Sequence, residues 1–363
     1  MKERIAAVDI FRGMTIVLMI LVNNPGTWAS VYTPFLHADW HGYTPTDMVF
    51  PFFIFIVGTS IFFTYSTKKS SVATYKKITI RSLKLIGLGL FLGAFTLTFP
   101  FVKDFSEIRF PGVLQRIGVV FFITSILFLN FNWKQLMAVT ALILVGYWVV
   151  MGFIPVNGIA STFNRAPNNL ANYVDLKLLG THMWKDDYDP EGVLSTIPTV
   201  ASCLLGVFTG QILRTKRQNK TTILMVLGSA LLLLGHVWDF VFPINKALWS
   251  SSFVLVSAGW ANLILALIYY ITTIRKVQFG TIFNYVGANA ITVFFLSSFI
   301  GKLFGLIRVG TANVTLKSWL FTTFYVRDFL PAELSSFLYA FTIMSFYCLI
   351  AFILYKRQIF IKV

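Results

Sequence analysis

The sequence has little charge and almost no cysteine. Only 12% of its 363 residues are charged, about half the share of an ordinary soluble domain. A surface with so few charges does not suit a water-soluble globular protein. The two cysteines, Cys203 and Cys348, stand in apolar stretches, so we expect neither a disulfide framework nor a cysteine zinc site.

Acidic residues are scarcer than basic ones. The chain has 14 Asp and Glu against 30 Lys and Arg, a formal net charge of +16. In a soluble protein this excess would indicate nucleic-acid binding, but no nucleic-acid module is visible. We therefore expect no nucleic-acid partner, and we interpret the excess as an orientation signal and an attraction to anionic membrane lipid.

Long hydrophobic runs are abundant instead. A bilayer core requires roughly 20 apolar helical residues, and ten runs approach that length. The first is too long for a cleaved signal peptide and is interpreted as a retained helix. We predict an all-α integral membrane protein with one domain over residues 1–363 and with helices at Ile5–Val22, Asp47–Tyr65, Ile78–Phe99, Val113–Leu129, Leu136–Ile154, Leu194–Leu213, Ile223–Phe240, Leu248–Ile271, Ile282–Leu303 and Leu334–Tyr355.

The distribution of charge predicts that both termini are cytoplasmic. With that orientation, most basic residues and only two of the acidic ones, Glu3 and Asp9, lie at the cytoplasmic ends of the runs. The longest hydrophilic insertion, Pro155–Gly192, is then outside. The cations that carry this argument include Lys2, Arg4, Lys68, Lys69, Lys76, Lys77, Arg81, Lys84, Lys216, Arg217 and Lys362.

Two segments do not fit the pattern of spans. They are Phe101–Gly112 and Gly310–Pro331. The second contains the apolar stretch Trp319–Val326, which is too short to cross a bilayer. We expect a re-entrant or interfacial piece there.

Titratable residues are concentrated in the segment PFLHADWHGYTPTDMVFPFF. His37, Asp39, Trp40, His41 and Asp47 fall within eleven residues, just before a helix whose start is signalled by Thr46 and Asp47. Histidine suits general acid–base catalysis, and a carboxylate from Asp39 or Asp47 could fix its tautomer. The alternative is that both histidines are ordinary polar residues at the membrane surface. The spacing does not favour a metal site.

Three other places combine polar residues with apolar helices. Asp9 and Arg12 are three residues apart and share a helix face, as an ion pair or as a functional pair. Asp189 and Glu191 precede a long apolar helix, where they could cap it or bind a ligand. Gln115 and Arg116 begin another span, and a charge there requires an anionic partner, either a ligand phosphate or a carboxylate such as Asp189.

Seven segments, in order, resemble the heparan-α-glucosaminide N-acetyltransferase family of transmembrane acetyltransferases. They are VDIFRG, MILVNNPG, HADWHG, TDMVFPFFIFIVG, RFPGVLQRIG, YDPEG and FPINKALWSSSFVL, with a weaker match at YVGANAI. The resemblance implies acetyl-CoA as cosubstrate, entering from the cytoplasm, and a glucosamine amine as acceptor on the other side. It also implies that His37 is the residue tied to acetyl transfer, while Asn23 matches the family's asparagine after the first span.

The resemblance and the residues together give a set of expected roles. His37 acts as a base or carries the acetyl group, Asn23 stabilises the oxyanion, and Asp47 orients His37. His41 stands where the animal enzymes have asparagine and is given no role. The expected acetyl-CoA contacts are Arg12, Gln115, Arg116 and Asn289, and the expected sugar contacts are Trp40, Asp189 and Glu191.

The chain starts without the N-terminal segment of the animal enzymes, so we expect a bacterial inner-membrane enzyme that acts on an envelope or scavenged amino sugar or glycan. A homodimer is the default assembly. Two alternatives remain open at this point. One is a secondary transporter of sugars or amino sugars, and the other is an O-acyltransferase that modifies envelope polysaccharides.

Overall fold

The structure is a computed structural model that describes residues 5–215, 218–311 and 313–361. Lys2, Glu3, Arg4, Lys216, Arg217 and Lys362, which entered the orientation argument, lie outside the described residues. The helices are α1 (Ala6–Asn23), α2 (Pro45–Tyr65), α3 (Val72–Ala94), α4 (Val113–Asn130), α5 (Trp133–Phe153), α6 (Leu170–Leu179), α7 (Val193–Arg214), α8 (Lys220–Asp239), α9 (Ser251–Tyr269), α10 (Thr281–Ala288), α11 (Ala290–Leu306), α12 (Leu316–Phe324) and α13 (Ala332–Lys356).

The fold confirms an all-α integral membrane protein. Within the described ranges, eight helices are long and apolar enough to cross a bilayer. The bent pair of α10 and α11 passes the same test together, as a ninth, broken span or as a re-entrant loop. The remaining predicted span corresponds to α3, which is 23 residues long but carries Lys76, Lys77, Arg81 and Lys84 between its start and its middle. Its uninterrupted apolar stretch is therefore shorter than those of the others.

The bundle has central and peripheral helices. In one apolar 18-residue stretch of each helix, 78% of the residues of α2 and 67% of those of α7 and α9 are buried, against 22% for α8 and 28% for α5 and α13. The peripheral helices expose large apolar side chains such as Leu142, Leu233 and Leu349. In water these would be a liability, whereas lipid tails solvate them, so they mark the surface that faces the bilayer.

Helices α2 and α7 run side by side in the same direction at the centre. A Cβ atom added to Gly58 would lie 1.9 Å from the carbonyl oxygen of Cys203, and one added to Gly206 would lie 1.9 Å from that of Phe55. The two backbones meet closely because each helix presents glycine to the other. As a result, the first turns of α2 and α7 lie at the same end of the bundle.

Two predicted helix boundaries are wrong. The expected single helix Ile282–Leu303 is two helices, α10 and α11, which meet at Asn289 with a bend of 80°. The expected helix Ile78–Phe99 begins earlier, at Val72 with Ser71 as its N-cap, and ends at Ala94. Its charged first turns were left out of the predicted span because they are polar, although they remain helical.

The two segments that did not fit the span pattern contain only short elements. Residues 101–112 contain one turn of 3₁₀-helix at Phe105–Glu107. The other segment forms a two-residue antiparallel ribbon, β1 (Arg308–Val309) with β2 (Val314–Thr315), followed by the nine-residue α12. A helix of nine residues is too short to span, and α12 instead packs beside α11.

Candidate active site

The first turn of α2 holds Asp47 in place through a capping box. Thr44, not Thr46 as the sequence suggested, is the N-cap residue, and its hydroxyl accepts the backbone N–H of Asp47. Oδ2 of Asp47 in turn accepts the backbone N–H groups of Thr44 at 3.0 Å and Ala38 at 2.9 Å. The hydroxyl of Thr46 donates to the carbonyl of Pro34 instead. This exchange fixes one carboxylate oxygen and leaves the other for a different partner.

That partner is His37. Its Nδ1 lies 2.6 Å from Oδ1 of Asp47. The carboxylate is buried, with 1% of its side chain exposed, whereas 49% of the His37 side chain is exposed. A buried carboxylate requires a donor, so Nδ1 carries the proton and Nε2 keeps its lone pair toward the open side.

Lys246, about 200 residues later in the sequence, completes this group. Its Nζ lies 3.3 Å from Oδ1 of Asp47 and 3.0 Å from Nδ1 of His37. With Nδ1 protonated, the ammonium cannot donate to it, so Asp47 is its effective partner. Burial lowers the pKa of Lys246, and the charge of Asp47 opposes that change.

The loop that carries Lys246 is docked on the histidine loop. Asn245 is fully buried and donates from Nδ2 to the carbonyl of Trp40 at 2.8 Å. The backbone N–H of Gly42 donates to the carbonyl of Ile244 at 2.7 Å. These contacts bring two segments about 200 residues apart into one site.

An arginine with two acidic residues forms a second charged group. Arg109 donates to Asp189 from Nε at 2.8 Å and from a terminal nitrogen at 2.5 Å, and the same nitrogen contacts Glu191. Its guanidinium lies 5.2 Å from the ring centre of Trp184. Burial alone would lower the pKa of Arg109, but the two carboxylates outweigh it and raise the pKa above its usual range.

These groups surround a cavity of about 300 Å³. His37, Asp47, Lys246, Arg109 and Glu191 all line it, whereas Asp189 does not. The cavity walls also include Asn23, Asp39, Trp40, Trp184 and Tyr188. Asn23 is the last residue of α1, and its side chain has no hydrogen-bond partner among the described residues. The cavity thus brings together five of the expected residues: Asn23, His37, Asp47, Trp40 and Glu191.

The two neighbours of His37 have structural contacts. Trp40 donates from Nε1 to the carbonyl of Phe163 at 2.8 Å, and its ring meets that of Tyr188 at 5.2 Å, edge to face. Nε2 of His41 lies 2.9 Å from Oδ1 of Asn164, and His41 is not part of the cavity lining. Trp40 therefore presents a ring to the cavity, while His41 ties two loops together.

The expected acetyl-CoA contacts lie elsewhere. Arg12 on α1 pairs with Asp9 at 2.8 Å and donates to Ser60 at 2.8 Å. Asn289 is buried and exchanges hydrogen bonds with the backbone of Ile359 and Ile361. Neither residue lines the cavity.

Gln115 and Arg116 are held by the protein. Gln115 donates to the carbonyl of Phe110 at 3.2 Å. Arg116 is 2% exposed and donates to the carbonyl of Gly192 at 3.1 Å and to the hydroxyl of Ser195. The ion pair with Asp189 that the sequence suggested for Arg116 is instead made by Arg109.

A further buried acid lies near Asp189. Asp175 on α6 is 2% exposed, and its Oδ1 accepts the backbone N–H of Val193 at the start of α7. Burial raises the pKa of Asp175 to about 7, and the nearby Asp189 adds to that rise. Near neutral pH this carboxyl is therefore partly protonated.

The comparison with known families agrees with these motifs. The family model described as "Heparan-alpha-glucosaminide N-acetyltransferase, catalytic" matches residues 4–238, which include His37, Asp47, Arg109, Asp189 and Glu191. The chain belongs to this family. Among the described residues, no group of three or more His, Cys, Asp or Glu side chains could hold a metal ion.

Two curated relatives extend the match along the chain. Human heparan-alpha-glucosaminide N-acetyltransferase is 30% identical over 361 residues, and the mouse protein of the same name is 31% identical over 359. The alignments cover 81% and 80% of this chain, and 52% and 53% of the relatives. The chain thus spans about half the length of the curated relatives that it matches.

Sequence reasoning missed two charged residues of the cavity. Lys246 stands in FPINKALW and Arg109 in RFPGVLQRIG, both within segments that carried the family resemblance. Nothing in the spacing showed that either residue would meet a carboxylate. The available signal was the predicted topology, which puts the loops of Arg109, Lys246 and His37 on the same side of the membrane.

Proposed function

We propose that the protein is a transmembrane acetyltransferase that moves an acetyl group from cytosolic acetyl-CoA to the amine of a glucosamine-type sugar on the extracytoplasmic side. The observation that carries this proposal is the half-exposed His37 imidazole, held by the buried Asp47 carboxylate, at a cavity lined by polar groups. Family membership supports acetyl transfer as the reaction.

The geometry suits proton transfer at His37. Nε2 takes a proton from the sugar ammonium, and the freed amine attacks the thioester carbonyl carbon. Asp47 stabilises the imidazolium that forms. The nitrogen of the tetrahedral intermediate loses its second proton to solvent, the carbon–sulfur bond breaks, and the thiolate leaves with the proton from Nε2. The second route, in which Nε2 first takes the acetyl group itself, uses the same geometry.

The other cavity residues have proposed roles. Asn23 can donate from its amide to the developing oxyanion, a contact worth about 10²–10³ in rate in comparable sites. Trp40 and Glu191 contact the sugar, and the aromatic face suits a cationic pyranose. Asp189 acts indirectly, because its carboxylate is fully buried and occupied by Arg109.

The remainder of acetyl-CoA extends beyond this cavity, since about 300 Å³ accommodates only the acetyl end and part of a sugar. Arg12, Gln115, Arg116 and Asn289 stay the proposed contacts. Arg12 is the best placed of them in the sequence for a cytoplasmic phosphate, because it lies two turns into α1 from the predicted cytoplasmic end. A bacterial inner membrane and a homodimer are also part of the proposal.

The test is a transfer assay on the purified protein with labelled acetyl-CoA and glucosamine. We expect N-acetylglucosamine as product, and we expect His37→Ala to lower kcat by about 10²–10⁴-fold. His41→Ala, a histidine four residues away with no place in the cavity lining, is the matched control and should keep most of its activity. Thermal stabilisation of each variant by acetyl-CoA shows that it is folded and still binds the donor.

Three results would contradict the proposal. Near wild-type turnover of His37→Ala would show that His37 is not the catalytic base. An ester product in place of an amide would indicate the O-acyltransferase. Sugar uptake by proteoliposomes, without stabilisation by acetyl-CoA, would indicate the transporter.

A further inference from the structure

A second cavity adjoins the one that contains His37. Its volume is about 250 Å³, and it shares Met19 and Asn23 with the first cavity. It lies between the end of α1, the middle of α11 and the start of α12. Its polar lining includes Asn24, Ser298, Lys302 and Lys317, and no carboxylate is part of that lining.

Lys302 is a half-buried cation in this cavity. Its Nζ donates to the carbonyls of Leu92 and Gly93, at 2.5 and 3.2 Å, at the end of α3. These two bonds leave one of the three ammonium donors unused. Across the described ranges, no carboxylate lies within ion-pair distance of Lys302.

Lys317 is the second cation. It stands in the first turn of α12, is partly buried, and makes no hydrogen bond or ion pair with any described residue. Burial lowers its pKa, as expected for an ammonium that loses water without gaining an anion.

Two ammonium groups without a counter-ion are costly in a low-dielectric setting. Buried or half-buried charges in membrane proteins pair with one another or mark a ligand path. The carbonyl contacts at the end of α3 account for Lys302 in part, because a cation favours a helix C-terminus. These carbonyl contacts do not explain why Lys317 is partly buried, nor why the cavity lining contains no Asp or Glu.

We propose that this second cavity is an oxyanion subsite, in which Lys302 and Lys317 bind a phosphate, sulfate or carboxylate group of a substrate whose reacting end lies in the His37 cavity. The shared wall at Asn23 makes the two spaces neighbours. The assignment to a substrate rests on the proposed function. The anionic group belongs either to an acidic amino sugar or to the acyl donor. In the second case the phosphates of CoA lie on this side of the membrane and not at Arg12.

The experiment compares charged and neutral probes on the intact protein in detergent. The donor pair is acetyl-CoA and S-acetylpantetheine, and the acceptor pair is glucosamine 6-sulfate and glucosamine. Affinity is measured by thermal stabilisation for wild type, Lys317→Gln, Lys302→Gln and the control Lys177→Gln, which removes an exposed lysine of α6. Lys317→Gln is the principal variant, because Lys302 also bonds to α3.

We expect wild type to bind the charged member of one pair more tightly, and Lys317→Gln to lose about tenfold or more of that preference. Lys177→Gln should keep it. Loss in the donor pair assigns the subsite to CoA phosphates, and loss in the acceptor pair assigns it to an acidic sugar.

The proposal is overturned if wild type shows no preference in either pair, or if Lys317→Gln keeps the preference in full. Failure of the proposed function is a separate result, since it would appear as absent acetyl transfer by wild type. A charge preference that disappears in Lys317→Gln would then still support an oxyanion subsite.

Discussion

Nδ1 of His37 lies 2.6 Å from Oδ1 of Asp47, and the other oxygen of that carboxylate is bound by the first turn of α2. The helix cap and the candidate base therefore share one side chain. A residue that begins a transmembrane helix also sets the tautomer of the histidine ten positions earlier.

Asp47→Asn tests this arrangement. The amide keeps the size of the side chain but can present N–H to Nδ1, which moves the imidazole proton to Nε2 and removes the base. We expect kcat of acetyl transfer to fall by about 10²–10⁴-fold. The control is Asp39→Asn, since Asp39 lines the same cavity but is exposed. If Asp39→Asn were inactive and Asp47→Asn active, the orienting role would belong to Asp39.

Asp175 should make stability depend on pH. Its pKa rises from 3.8 to about 7 on folding, so between about pH 4 and pH 7 the native state holds a proton that the unfolded state has lost. Stability therefore falls as pH rises through that window, by on the order of 4 kcal/mol if no other group intervenes. Asp175→Asn should flatten the dependence of Tm on pH there. An unchanged slope in the variant would count against the raised pKa.

Arg109 should matter more for stability than Arg165, another arginine on the same side. Arg109→Gln leaves Asp189, whose side chain is fully buried, without its cation, and we expect a loss of about 3–5 kcal/mol. Arg165→Gln is the matched control, because Arg165 and Asp187 are exposed by 44% and 47% and such pairs contribute about 0–1 kcal/mol. The measurement is the Tm of both variants in one detergent. Equal losses of Tm would contradict the larger contribution of Arg109.

The crossing of α2 and α7 should not tolerate a methyl group. In Gly206→Ala the new Cβ would meet the carbonyl of Phe55, so the helices must separate, at a cost of about 1–3 kcal/mol or more. Gly146→Ala on α5 is the control, since nothing lies within 4 Å of its added Cβ. We expect a lower Tm and lower activity only for Gly206→Ala. Identical midpoints for both variants would show that the crossing can relax.

The orientation can be tested by thiol labelling. Both native cysteines, Cys203 and Cys348, are buried, so background labelling should be low. Lys185→Cys, in the segment predicted to be outside, should react with an impermeant maleimide on intact cells, and Lys69→Cys should react only after permeabilisation. The reverse pattern would invert the topology.

Much of the fold was predictable because its signals are local. Apolar length and charge locate nearly every long helix, since transfer into lipid is a property of each residue and its immediate neighbours. The bend at Asn289 was not predictable in this way, because α10 and α11 are equally apolar on both sides of it. The start of α3 was missed because its first turns are helical but carry charged residues, which an apolar pattern does not include.

The sequence by itself determined the class of the protein and predicted His37, Asp47 and Asn23 as site residues, and all three line one cavity. Only the tertiary structure decided which groups meet. Arg109 rather than Arg116 pairs with Asp189, and Lys246 reaches Asp47 across about 200 residues. A hydropathy pattern is a sum over neighbouring residues, whereas an ion pair depends on angstrom-scale distances that are fixed only when the helices and their loops have packed.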